Sequence, residues 1–134
     1  MRSIRGGLVV LATFVAGATV GAAAVSYDSP ARKEMKRADL SGAPGMEVIA
    51  SVSEYKKGEM IPKHLHHGIE AGYVIQGTMV QAPGKEPMKL ETGAPIMNLR
   101  DVPHAGFKVV GDQSFKVFTV HIVDKGKPLY DWVK

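Results

Sequence analysis

Residues 58–77 read Gly58-Glu-Met-Ile-Pro-Lys-His64-Leu-His66-His67-Gly-Ile-Glu70-Ala-Gly-Tyr-Val-Ile-Gln-Gly77. Two histidines stand two apart, a glutamate follows four residues later, and glycines bracket the whole. A strand shows every second side chain on one face, so His64 and His66 point the same way, roughly 6–7 Å apart at Cα. Two imidazoles at that separation can bend onto one ion. His67 has the opposite parity and faces away, toward the surface or the outside of the site. The stretch outlines a metal site built on strands rather than on a helix.

The flanking sequence has the same character. Val48, Ala50 and Val52 alternate with Ile49, Ser51 and Ser53 from Met46 onward, which reads as a strand. Extended segments are expected at 61–67, 71–76, 78–82, 88–90, 94–99, 107–110 and 115–123, with Gly68 as a break between the first two. Turn signals separate them at Lys56-Lys57-Gly58, Pro83-Gly84-Lys85, Thr92-Gly93 and Gly111-Asp112. Short strands at this spacing mean an all-β sandwich or barrel.

Upstream, the chain changes class. Arg2 and Arg5 precede an uncharged apolar run from Leu8 to Val20, and Ala22-Ala23-Ala24 offers a small-x-small cleavage site. That order is the pattern of an export signal, residues 1–24, removed after Ala24 with Ala23 as the neighbouring alternative. The competing expectation is an uncleaved anchor helix over residues 8–25, at the short end of what crosses a bilayer. Either one places the folded part outside the cytoplasm, periplasmic or secreted. Residues 25–45 are polar, with Pro30 and Pro44, and read as a linker: a tether, a loose first strand, or a short helix over Ala31 to Ala38. The domain proper is residues 46–134.

Composition narrows the function. The formal net charge of +4 falls to +2 without the two leader arginines, and the remaining lysines are interleaved with acids. No basic stripe with interleaved aromatics is present, so nucleic acid is not an expected partner. The chain has no cysteine, which excludes disulfides and thiolate metal sites. Serine or cysteine nucleophile motifs, phosphate loops and dinucleotide fingerprints are missing as well.

At this point the residues resemble the cupin family. Its first motif is Gly, five residues, His-x-His, three or four residues, Glu, six residues, Gly. Gly58, His64, His66, Glu70 and Gly77 match every spacing. Its second motif is Gly, five residues, Pro-x-Gly, two residues, His, three residues, Asn. Gly93 and His104 keep their spacing, whereas Leu99, Asp101 and Lys108 replace the inner Pro, Gly and final Asn. Pro103 stands where it can supply the missing rigidity. The similarity runs from about Met46 to Asp124, and the tail Lys125 to Tyr130 looks like the ending of small single-domain bacterial cupins. The resemblance implies an all-β double-stranded β-helix, a jelly-roll-like barrel, in which His64, His66, Glu70 and His104 converge on one divalent transition metal (Fe, Mn, Ni, Co or Zn). It also implies a small-molecule ligand and a homodimer formed by edge strands, with Met46 to Tyr55 the candidate edge.

Several residues keep two readings. In Phe115 to Val123 either face suits the barrel interior, so His121 is a hydrogen-bonded histidine near a strand end or an acid or base lining the pocket. Tyr73 and Gln76 are candidates for the pocket mouth, Tyr73 equally for the core. Met46, Met60, Met79, Met88 and Met97 are scattered over different strands and read as gap-filling core rather than a copper site. Three functions follow: a metal-dependent enzyme of dioxygenase, isomerase or lyase type, a non-catalytic metal- or small-ligand-binding module of the cell envelope, and a structural cupin with a vacant site.

Overall fold

The computed structural model describes residues 28–134, so the expected signal or anchor segment lies outside the described residues. Among the described residues there is no helix. The strands are β1 (Arg32–Asp39), β2 (Met46–Tyr55), β3 (Met60–Ile61), β4 (His64–Leu65), β5 (Gly68–Gln76), β6 (Thr78–Gln81), β7 (Met88–Leu90), β8 (Pro95–Asn98), β9 (Phe107–Val109), β10 (Phe115–Asp124) and β11 (Asp131–Trp132). Every pairing is antiparallel. One sheet runs β1-β2-β10-β5-β8, a second β3-β9-β6-β7, and β4 pairs with β11.

The inner face of the large sheet is set by period-two alternation. Along β10, Phe115, Val117, Thr119, His121 and Val123 are buried while the residues between them are not. Along β2 the buried set is Glu47, Ile49, Ser51, Ser53 and Tyr55. Two apolar clusters result. Tyr55, Ile61, Val74, Val80, Val109, Phe115 and Val117 fill one end between the sheets. Ile49, Val123, Leu129 and Tyr130 fill the other. Between them lies a polar layer carried by the middle of the same strands: Ser51, Ser53, Thr119, His121 and Glu70.

Several expectations need correcting. Residues 25–45 are not all linker. Arg32 to Asp39 form β1, paired with β2 from Arg32↔Ser53 to Asp39↔Glu47. Eight residues, six of them charged, with Met35 and Ala38 too few to make an apolar helical stripe, have little to bury as a helix, and a helix this short does not hold alone; the β2 edge satisfies their amides instead. That pairing removes the Met46–Tyr55 edge expected to join two copies, because β2 has β1 on one side and β10 on the other. Gly68 does not break the chain but opens β5, pressed so close to β10 that a Cβ there would stand 2.0 Å from the Ile122 carbonyl oxygen. Four of the five methionines expected in the core are not there: Met60, Met79, Met88 and Met97 occupy outward positions and are exposed, while Met46 is half-buried. Tyr73 also faces outward, 55% exposed, beside Phe118 and Ile69 on the outer surface of the large sheet. Gln76 closes a corner by donating to the Ser114 carbonyl at 2.7 Å.

Candidate metal centre

One cross-strand row lays down half of the site. Register pairs Ile49 with His121, His121 with Glu70, and Glu70 with Asn98 across β2, β10, β5 and β8. Same-face neighbours on paired strands stand about 4.5–5.5 Å apart at Cβ, so the register itself puts His121 and Asn98 on either side of Glu70. The Asn98 amide donates to Glu70 Oε2 at 2.6 Å, and His121 Nε2 lies 3.3 Å from Oε1.

The other half comes from two short segments crossing the open end. His64 and His104 form an isolated bridge: His64 N–H donates to the His104 carbonyl at 3.1 Å and the reverse bond is 2.8 Å. The loop that delivers His104 holds two non-glycine residues in the left-handed region, Asp101 (φ 58°) and Ala105 (φ 62°). Asp101 stands at the position of the motif glycine. Asp tolerates this conformation because its short side chain bonds locally, and here it binds His67 Nδ1 at 2.9 Å while its own N–H donates to the His66 carbonyl at 3.0 Å. An aspartate thus holds the left-handed turn at this position without a glycine.

The result brings His64, His66, Glu70 and His104 together and adds His121. Donor atoms of His64, His66 and His104 lie within 4.8 Å of one another, and so do those of His66, Glu70 and His121. His66 Nε2 and His104 Nε2 are each 3.4 Å from Glu70 Oε2. His67 stays outside the cluster, against Asp101 and Asp131, as its parity requires.

Each of the three loop-side rings is oriented from behind. Nδ1 of His64 faces the Pro62 carbonyl at 2.7 Å, that of His66 the Leu129 carbonyl at 2.5 Å, and that of His104 the Val102 carbonyl at 3.0 Å. A carbonyl only accepts, so Nδ1 carries the proton in all three and Nε2 is left with a lone pair. The Nε2 atoms of His66 and His104, and both ring nitrogens of His121, are buried without a hydrogen-bond partner. Buried polar atoms are rarely left unpaired. Lone pairs aimed together, each with its opposite nitrogen anchored on the backbone, are the arrangement that metal-ligating histidines adopt. Donors about 2.1 Å from a tetrahedral ion stand roughly 3.4 Å apart, which the nitrogen-to-oxygen spacings match. The residues fit a divalent metal.

The electrostatics agree. Burial pushes the Glu70 carboxyl up, but His104, His121 and His66 outweigh it and hold it well below the usual carboxylate range. Burial drives His64 down to about 4, against the Pro62 carbonyl that favours its proton. His121 is lowered, by burial first. A carboxylate and neutral imidazoles are the forms that bind a metal.

Beside the cluster opens a cavity of about 240 Å³ between the two sheets. His64, Glu70 and His104 form one end of it, and the walls are mostly apolar. Tyr130 closes the same end, its ring 4.7 Å from His64 and 5.1 Å from His66, and Trp132 stacks on it at 5.1 Å. Asn98, Leu129 and Tyr130 had no signal in the local sequence, because their roles arise from register and from the returning tail.

No curated protein matches the chain. Among solved structures, a protein with a double-stranded β-helix domain from Klebsiella pneumoniae superposes with a TM-score of 0.51 at 18% identity, over 65% of this chain and 75% of that one. The polyketide cyclase RemF from Streptomyces resistomycificus gives 0.50 at 18% identity, over 69% and 75%. A structure of DMSP lyases gives 0.51 at 17% identity, over 65% and 44%. At these identities the likeness is one of fold. The family model of the cupin domain matches residues 51–121, more than half of the chain, and the chain belongs to the cupin family.

Proposed function

We propose that this protein is a metal-dependent cupin which holds one divalent first-row ion through His64, His66, Glu70 and His104 and acts on a small organic molecule in the adjoining cavity. The observation that carries the reading is the set of three imidazoles whose Nδ1–H groups are pinned to backbone carbonyls while their Nε2 atoms converge beside a carboxylate. Three imidazoles and one carboxylate suit Fe, Mn, Co, Ni or Zn and not an all-oxygen calcium site. Bound there, the ion would supply a Lewis acid to an oxygen of the bound molecule.

The chain's own residues supply the rest. Asn98 and His121 hold the two Glu70 oxygens apart, one on each side. Leu129, Pro62 and Val102 fix the ring tautomers. Tyr130 keeps its hydroxyl proton, because burial raises it far above the usual phenol value, and it shields the cluster from water. Dioxygenase, isomerase and lyase chemistry are the reaction types in this proposal. Structures of the same fold described as a polyketide cyclase and as DMSP lyases support an enzymatic role in general, not a particular substrate. In this reading residues 1–24 act as an export signal or an anchor, and the domain works in the periplasm or beyond it; the mass of the protein recovered from the cell envelope tests that.

The deciding experiment is elemental analysis of untagged protein and of His66→Ala. Near one equivalent of metal in the first and most of it lost in the second is the expected result. Wild-type-like metal content in His66→Ala would refute the ligand set. Metal-loaded protein that binds small molecules but turns none over would be a binding module instead.

A further inference from the structure

We propose that the cavity selects a compact, largely apolar molecule of about one substituted ring, carrying one or two adjacent oxygen atoms at a single end, and rejects sugars, phosphates and polycarboxylates. The oxygen end rests on the metal reading above; the apolar body does not.

Three observations carry it. The first is size. A cavity of about 150 Å³ accepts benzene, and this one, at about 240 Å³, has room for a ring with a substituent. The second is the wall. Tyr55, Ile61, Val74, Ile96, Phe107 and Phe115 line it, and no lysine or arginine among the described residues does. A second anionic group would lose its water with no cation to replace it, and the several hydroxyls of a sugar would outnumber the few the wall offers, those of Ser53, Thr119 and Tyr130. The third is polarity concentrated at one end. Among the described residues Glu70 is the only carboxylate on the lining, and it lies with His64, His104, Asn98 and Thr119 at the end formed by the cluster; the Ser53 hydroxyl, in the cross-strand row of Val117 and Val74, and the Tyr55 hydroxyl, already bonded to Ser29, are the polar groups beyond it. A ligand is therefore oriented with its oxygen toward the histidines and its hydrocarbon part toward Phe115 and Val74.

The molecule carries its own reporter. Its single tryptophan, Trp132, stacks on Tyr130, and Tyr130 lines the cavity. Filling the cavity should change the tryptophan emission without any label.

The test uses the full chain, with p-cresol as apolar probe and glucose 6-phosphate as polar probe, both added to metal-free protein. p-Cresol is expected to shift Trp132 emission saturably below about 1 mM and to raise the unfolding temperature, whereas glucose 6-phosphate does neither. In protein loaded with Co(II), 4-methylcatechol is expected to bind at least about tenfold tighter than p-cresol, its second oxygen adding a donor to the ion. Val117→Phe and Ala94→Phe both fill the lining. Whichever folds, by circular dichroism, should lose p-cresol binding by about tenfold or more while keeping its metal content. No p-cresol response in the wild type, equal binding of glucose 6-phosphate, or unchanged p-cresol binding in a folded filled variant would overturn the proposal. Because the first arm is run without metal, failure of the ligand set shows in the elemental analysis and failure of the cavity reading shows here.

Discussion

His64 resists protonation because it is 4% exposed, and the neighbouring His104 and His66 add to the effect of burial. The sign of its linkage follows. The unfolded chain takes up this proton near 6.5 and the folded protein only near 4, so between those values the unfolded state binds more protons and stability falls as the pH falls. By pH 5 the loss from His64 alone is about 2 kcal/mol. His121, also lowered, acts in the same direction, and Glu70 continues it below its ordinary 4.5. Chelator-treated protein should therefore melt several degrees lower at pH 5 than at pH 7.5; a flat or rising melting temperature would show that His64 and His121 are not held neutral. His121 and Asn98 act on the site through Glu70. His121→Ala and Asn98→Ala are expected to weaken metal affinity by about 10–100-fold, measured by competition with a chelating dye, yet to fill at saturating metal. His64, His66 and Glu70 were legible because fixed offsets on strands determine which way side chains point. His121 was not, because both faces of β10 are apolar enough to be the inner one: Phe118, Val120 and Ile122 against Val117, Thr119 and His121.

The elements themselves were mostly readable, since alternation and turn residues are local signals. β5, β6, β7, β8, β9 and β10 fall close to where the sequence puts them. β1 was ambiguous because a polar, charged strand at a sheet edge carries no alternation. β11 and the tail were invisible because their contacts are made with β4, more than sixty residues earlier. Two substitutions test the loops that carry the site. Gly77 lies so close to its neighbours that a Cβ would stand 2.0 Å from the Leu90 carbonyl oxygen and 2.6 Å from Thr92 N. These are backbone atoms with nowhere to go, so Gly77→Ala should cost about 2–3 kcal/mol, read from urea unfolding. Ala105→Gly should do the opposite. Left-handed backbone costs an alanine about 1–2 kcal/mol, and the extra freedom of unfolded glycine returns about 0.5–1 kcal/mol of that. A net gain of roughly 0.5–1 kcal/mol is expected; a loss would mean that the Ala105 methyl is held by packing worth more than its strain.

At the scale of the whole molecule, the cluster sits between two apolar cores and joins segments far apart in the chain: β4, β5, the 99–106 loop and β10. A ligand that binds only the folded form stabilises it by mass action, and here it would tie those segments at one point. Added metal should raise the melting temperature at neutral pH in proportion to the logarithm of its concentration, and lose that effect in His66→Ala. The tail gives this a further consequence. The Leu129 carbonyl that fixes the His66 tautomer, and the Tyr130 ring that covers it, reach the histidines only after the chain has turned at Gly126 and run back along β4. During synthesis on the ribosome His66 emerges more than sixty residues before the Leu129 carbonyl that aims it, whereas Pro62 and Val102, which aim His64 and His104, lie two residues from their rings. A nascent chain halted near Asp124 would present His64 and His104 oriented and His66 without its backbone partner, so the cluster is completed only when the tail has been made.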